Sequence, residues 1–183
     1  MTLGDGKRKT LMLLDEYSTG GTITTDADIN LRMNDFFDIA QKEMAQWQPI
    51  VRRADVTLDG TGSDALPSDV MRVISVRKGG VRARGYEIID GKIVYTAGDT
   101  STLTLEYVAR PATITSTTAD TYEFEVTEEA ANCLPFFVAA QQLIPDLVVD
   151  YGAFYQLYLQ MRNMLSRGVG GLNQGSVAQR LWR

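Results

Sequence analysis

Histidine is absent from all 183 residues, and cysteine occurs once, at Cys133. Without imidazole there is no Ser-His-Asp or Cys-His relay to activate a nucleophile, and no zinc site that depends on histidine. A single thiol cannot close an internal disulfide or hold an iron–sulfur cluster. The apolar neighbours of Cys133 mark it as a small buried hydrophobe rather than a reactive thiol. What remains chemically is carboxylate metal binding or carboxylate acid–base work. No apolar run approaches the ~18 to 20 residues of a membrane-spanning helix. Leu11 to Leu14, behind Lys7, Arg8 and Lys9, is too short for a signal-peptide core, and no small-residue cleavage site follows it. The expectation is a protein made and used in a cytosol-like compartment. An excess of basic charge is missing too: 18 Lys and Arg face 23 Asp and Glu, a net charge of −5. That argues against gripping nucleic acid by neutralising phosphates, but not against letting DNA slide past.

What is present suits a helical domain carrying a smaller one. Hydrophobic residues make up 44%, enough to bury a core. Residues 26 to 48 give the clearest helix, with Ile29, Met33, Phe36, Phe37, Ala40, Met44 and Trp47 recurring every three or four positions. Thr25 or Asp26 can cap its start and Pro49 stops it. Asp28 with Arg32, and Asp38 with Lys42, are acid-to-base pairs four apart. A weaker helix is expected from Gly4 to Tyr17, its C-terminal Asp15 and Glu16 opposing the helix dipole. Ser18 to Gly21 then make a turn.

From about Ile50 to Thr115 the texture changes to strand, notably Val70 to Val76 and Thr102 to Val108. Asp90-Gly91, between Tyr86 to Ile89 and Lys92 to Tyr95, is a strong two-residue hairpin signal. Asp59-Gly60 and Lys78-Gly79-Gly80 mark further turns, and four to six antiparallel strands are expected. Helical texture returns at Thr127, interrupted at Pro135 and at Ile144-Pro145-Asp146. The last helix carries Leu147, Tyr151, Phe154, Tyr158, Met161 and Leu165 at alternating spacings of four and three, a bundle or inter-subunit seam. Gly168 is expected to end it. The fold class read from this is α+β: a bundle of about four helices (1–49 and 116–167), an inserted small antiparallel sheet or sandwich (50–115), and an extended C-terminal tail (168–183).

Candidate sites are few. Asp26 and Asp28 resemble a metal-binding Asp-x-Asp, but two carboxylates at a helix start are better explained by capping. Asp120, Glu123, Glu125, Glu128 and Glu129 could attract a hard cation, yet they lack the glycine and alternating ligands of a calcium loop. A solvated acidic loop is the simpler reading. Arg72, Arg77, Lys78, Arg82 and Arg84 form a basic run around Gly79-Gly80 with no acid among them. It is read as an exposed hairpin, with an acidic neighbouring subunit or DNA as the surface it would meet. Only Tyr86 lies near enough to stack on a base, and the glycines lack the Walker spacing of a phosphate loop. The tail is the most informative segment. Val177, Arg180, Leu181, Trp182 and Arg183 follow glycines at 168, 170, 171 and 175, and aromatic and arginine anchors are typical of partner docking. Folding back onto its own core is the alternative. No cofactor is expected.

The order of motifs resembles a known family. Leu66-Pro67-Ser68-Asp69-Val70-Met71-Arg72-Val73, then Tyr86-Glu87-Ile88, then Leu103-Thr104-Leu105-Glu106-Tyr107-Val108-Ala109-Arg110, is similar to the head-to-tail adaptor (neck connector) proteins of tailed bacteriophages. Glu128 to Ala131, Leu134 to Gln141 and the Tyr-rich last helix extend the likeness over about Ile29 to Leu165. The resemblance implies a non-enzymatic virion protein, assembled in the host cytoplasm. It implies a closed, dodecameric ring beneath the portal, with double-stranded DNA passing non-specifically through its channel. The C-terminal segment would reach the portal, and the opposite face would receive stopper or tail proteins. No membrane is involved. Two rivals are a DNA-recognition subunit of the packaging machinery and a carboxylate-dependent enzyme or sugar-binding module. The first lacks a basic recognition helix, since residues 26 to 48 carry five acids and two bases.

Overall fold

A computed structural model describes residues 1–14, 27–143 and 152–178, and for residues 27, 28, 143 and 166–178 the backbone alone. The fold is mixed α+β, with four helices, one short helical turn and two small antiparallel sheets among the described residues. Two compact units emerge. One comprises Met1–Gln48 with Pro111–Arg183, the other Pro49–Arg110.

The helical unit begins with α1 (Leu3–Leu13). Thr2 caps it by accepting from the Asp5 backbone N–H, while the Asp5 carboxylate accepts from the Thr2 N–H. This reciprocal capping box satisfies two of the donors a helix start leaves free. Leu3 and Gly4 donate backbone hydrogen bonds to Tyr122 and Asp120, 2.8 and 2.9 Å. Gly6 allows close packing, since a Cβ there would lie 2.9 Å from the Phe37 ring. The expected helix from Gly4 to Tyr17 thus starts one residue earlier and ends at Leu13; residues 15–17 lie outside those described.

Helix α2 (Ala27–Trp47) follows its apolar periodicity: Met33, Phe37, Ala40 and Met44 are fully buried, Ile29 and Phe36 half-buried. Trp47 departs from that face and is exposed. The predicted Asp38–Lys42 pair forms at 2.6 Å. Asp26 and the Asp28 side chain fall outside the described residues. A single turn, α3 (Glu128–Ala131), is capped by Thr127 and followed by α4 (Leu134–Leu143). Pro135 sits in the first turn of α4, where a missing N–H costs little; of the two outcomes its sequence allows, a kink or a fresh start, the helix begins afresh. Helix α4 packs on α1, α2 and α5 (Gly152–Ala178).

The end of α5 corrects the sequence reading. Gly168 does not stop it; the helix continues through Gly170, Gly171 and Gly175 to Ala178. Each interior glycine costs about 1 kcal/mol relative to alanine, which weakens a helix without forbidding it.

The sheet unit holds seven strands, more than the four to six expected, because short pieces escape periodicity. A four-stranded sheet has the order β1 (Ile50–Thr57), β7 (Thr102–Ala109), β3 (Val70–Lys78), β4 (Val81–Arg82). A three-stranded sheet has the order β2 (Ser63–Ala65), β6 (Lys92–Val94), β5 (Glu87–Ile89). Leu103, Leu105, Tyr107 and Ala109 of β7 alternate onto the core, opposite Val56 of β1 and Val76 of β3. Asp90 (φ 50°) and Gly91 (φ 73°) form the predicted two-residue turn between β5 and β6, with Ile89 opposite Lys92. Residues 111–115, assigned by sequence to the strand segment, instead run along α2 in the helical unit.

Candidate functional site

The carboxylate cluster disperses on inspection. Asp120 accepts from the buried Lys7 ammonium at 2.8 Å, and Glu125 accepts from the Ala112 backbone N–H at 2.8 Å. Glu128 and Glu129 occupy the first turn of α3, where carboxylates suit the helix dipole. Among the described residues, no three His, Cys, Asp or Glu side chains come together so as to hold a metal ion. Cys133 is buried, and burial pushes its thiol up to about 11, which leaves it protonated at neutral pH.

Of the last-helix stripe, Leu147 and Tyr151 lie outside the described residues. Tyr158 is fully buried and meets Phe137 edge-on with ring centroids 5.2 Å apart. Phe154, Met161 and Leu165 are half-buried. Burial, with Glu43 nearby, holds the Tyr158 phenol well above its ordinary pKa, so it stays neutral. A polar cluster that no periodicity signals joins this helix to α2. The Arg162 guanidinium donates to Glu43 at 2.6 Å and lies 4.6 Å from the centre of the Trp47 ring. The stacked guanidinium covers one face of that exposed ring.

Two surfaces stand out, one on each unit. The first is the β3–β4 hairpin, turned by Gly79 (φ 56°) and Gly80 (φ 81°). Arg77 lies directly opposite Arg82, and like charges in that position repel. Arg72, Arg77, Arg82 and Arg84 are all exposed, and none joins an ion pair among the described residues. Lys78 differs from them: it bonds to Asp99 and lies 5.4 Å from the centre of the Tyr95 ring. That bond, with those from Ser101, holds the Asp99 carboxyl down at about 2. Val81 is 72% exposed between the arginines. Met71 and Ile74, also exposed, sit where the β3–β7 register shifts, and such bulges turn an edge away from further pairing.

The second surface is an apolar groove of about 510 Å³ on the helical unit, lined by Met12, Leu13, Pro135, Phe136 and Met161 with Lys9 and Asn132. A second cavity of about 420 Å³ shares Lys9, Met12 and Asn132 with it and adds Met1, Asp5, Arg8 and Glu128. The bases at this rim are occupied, Arg8 by Asp5 at 3.0 Å and Lys9 by Asn132 at 2.8 Å. Sequence reasoning misses this groove because its walls come from three separate segments.

Within the sheet unit the Leu66-Pro67-Ser68-Asp69 motif and the end of β7 are joined. The Asp69 carboxylate accepts from Arg52 at 2.6 Å and from the Tyr107 hydroxyl at 3.1 Å, and the Asp69 carbonyl accepts from the Arg110 N–H at 2.7 Å. Val177 lies in the α5 backbone; Arg180, Leu181, Trp182 and Arg183 fall outside the described residues. No helix among the described residues is long and apolar enough to cross a membrane. No protein-family model matches the chain, and no curated protein sequence matches it.

Proposed function

We propose that this chain is a structural, non-enzymatic subunit of a phage head-to-tail adaptor. It assembles as a closed ring in the virion neck, binds the portal, connects the DNA-filled capsid to stopper or tail proteins, and lets DNA pass through its channel. In this reading the four helices form the ring's bundle, residues 49–110 are its inserted sheet, and residues 172–183 of the C-terminal tail dock on the portal. The observation that carries it is the union of separated motifs at Asp69. The strand opening Leu66–Asp69 and the strand end Tyr107–Arg110 carry the resemblance, and they meet through that one carboxylate and its carbonyl. That network supports reading both motifs as parts of one structural device. A ring presents each patch many times, so modest contacts sum to a durable joint.

The test is reconstitution. Purified protein added to DNA-filled heads that carry portal but lack neck proteins should form a ring under the portal, seen by electron microscopy, and restore tail joining. Protein lacking residues 172–183 should remain folded and fail to bind. Heads that stay bare with the full-length protein would overturn the proposal.

A further inference from the structure

Register decides which side chains of the four-stranded sheet share a face. Leu103, Leu105 and Tyr107 of β7 enter the core, so Thr104, Glu106 and Val108 belong to the opposite face. Their cross-strand partners complete three rows: Asp55, Thr104, Arg77 and Arg82; Arg53, Glu106 and Ser75; Val51, Val108 and Arg72. Ala83 is buried and its N–H donates to the Val76 carbonyl, which carries Arg84 onto the same face as Arg82. Five arginines, at 53, 72, 77, 82 and 84, thus stand together against two carboxylates. Both carboxylates are occupied within the face. Asp55 accepts from the Thr104 hydroxyl at 2.7 Å. Glu106 accepts from Arg53 and from Ser75 at 3.1 Å each, and Arg77 also acts on it. Arg72, Arg82 and Arg84 are exposed and join no ion pair among the described residues. The chain's net −5 hides this face, because its excess of acid lies elsewhere.

The middle of the face decides what fits it. The rows through Arg53 and Asp55 hold charges and hydroxyls and no apolar side chain, whereas the centre of a protein–protein interface is depleted of charge. Guanidinium and hydroxyl donors are the groups that bind phosphate oxygens. Tyr86, Tyr95 and Tyr107, the aromatic residues of 49–110, all pack on the core. No ring is left to stack on an unpaired base, so a duplex backbone fits better than a single strand.

We propose that this face binds the phosphate backbone of double-stranded DNA, whatever its base sequence, through Arg72, Arg77, Arg82 and Arg84. The proposal deepens the adaptor reading by naming the surface that passing DNA touches, and rests on that reading for its place in the virion. Few phosphates are neutralised, so the contact is weak and readily broken by salt.

Fluorescence anisotropy of a short labelled duplex of mixed sequence tests it, using the full chain, with far-UV circular dichroism as a check on folding. Binding should appear at low salt, and log affinity should fall against log salt with a slope of about −3. Arg82→Glu with Arg84→Glu should weaken binding roughly ten-fold or more and flatten that slope by about 2. Arg82→Lys with Arg84→Lys should keep most of the affinity, since a phosphate is met by charge. Arg32→Glu with Lys92→Glu makes the same change of net charge away from the face and should bind nearly as wild type does. No binding at low salt would overturn the proposal. So would equal losses from the two glutamate pairs, or a single strand bound more tightly than the duplex. Poly-L-glutamate displacing the duplex at equal charge would assign the face to an acidic protein instead. A chain that ignores DNA yet restores tail joining loses this inference alone. One that binds DNA yet leaves heads bare loses the adaptor reading alone.

Discussion

The sheet unit and the helical unit are held together by different kinds of information. In the sheet unit β7 lies between β1 and β3, and alternate residues from Leu103 to Ala109 enter one core. Two-residue turns join β3 to β4 and β5 to β6, while backbone pairing carries β7 back onto β1 and β3. In the helical unit the apolar face of α2 is only part of the design. Its polar side chains bind an irregular segment far along the chain: Asn34 donates to the Thr115 carbonyl, Asp38 accepts from the Ile114 N–H, and Gln41 accepts from the Glu125 N–H. Gln41 is fully buried and also donates to the Ala112 carbonyl and the Tyr122 hydroxyl. A buried amide is tolerated only when so satisfied. Both units depend on long-range closure, the helical one through side-chain hydrogen bonds to an irregular segment, the sheet one through backbone pairing of β7 with β1 and β3.

That contrast predicts unequal responses. Phe37 is fully buried against Phe124, with ring centroids 5.4 Å apart. Phe37→Ala should cost about 3–5 kcal/mol, read from urea denaturation. Met71→Ala on the exposed edge of β3 should stay within about 0.5 kcal/mol of wild type. Equal losses from the two would break the comparison. A smaller, local effect is expected at the β5–β6 turn. Gly91 sits at φ 73°, so Gly91→Val should cost about 1–2 kcal/mol through strain alone. A chain stabilised by that change would show the turn to be misassigned.

The smallest effect concerns acid. Asp99 is held near 2, below its ordinary 3.8, first by the Lys78 hydrogen bond and then by those from Ser101. A depressed carboxylate contributes stability that is present above its unfolded value and lost as pH falls through its folded value. Stability should therefore decline between about pH 4 and pH 2, and Lys78→Met should shrink that decline. Acid titration of thermal unfolding would measure both. An unchanged acid profile in the variant would remove Lys78 as the cause.

Much of the fold was legible because it obeys short-range rules. Helix α2, the Asp90-Gly91 turn, the fresh helix start at Pro135 and the glycine turn at 79–80 each follow from periodicity or turn chemistry within about ten residues. The basic run was legible as an exposed hairpin for the same reason. Less legible were pieces too short to show a period, β2 and β4, and the capping box at Thr2 and Asp5, which precedes any strong apolar pattern. The glycines after Leu165 misled, because glycine lowers helix propensity without setting a boundary.

By itself the sequence determined the chemistry that is excluded, the α+β class, and the faces of its periodic elements. Zero histidine and a single cysteine are read from composition, and apolar spacing decides which side of α2 or β7 is dry. Only the tertiary structure decided which polar groups are consumed and which are left over. Lys78 and Arg82 look alike in sequence, yet Asp99 claims one and leaves the other exposed. Glu125 and Glu128 lie in one acidic run, yet one holds the Ala112 backbone and the other lines a cavity beside α1. The reason is physical: periodicity acts along the chain, whereas ion pairs and grooves form between segments that only folding brings within a few ångströms.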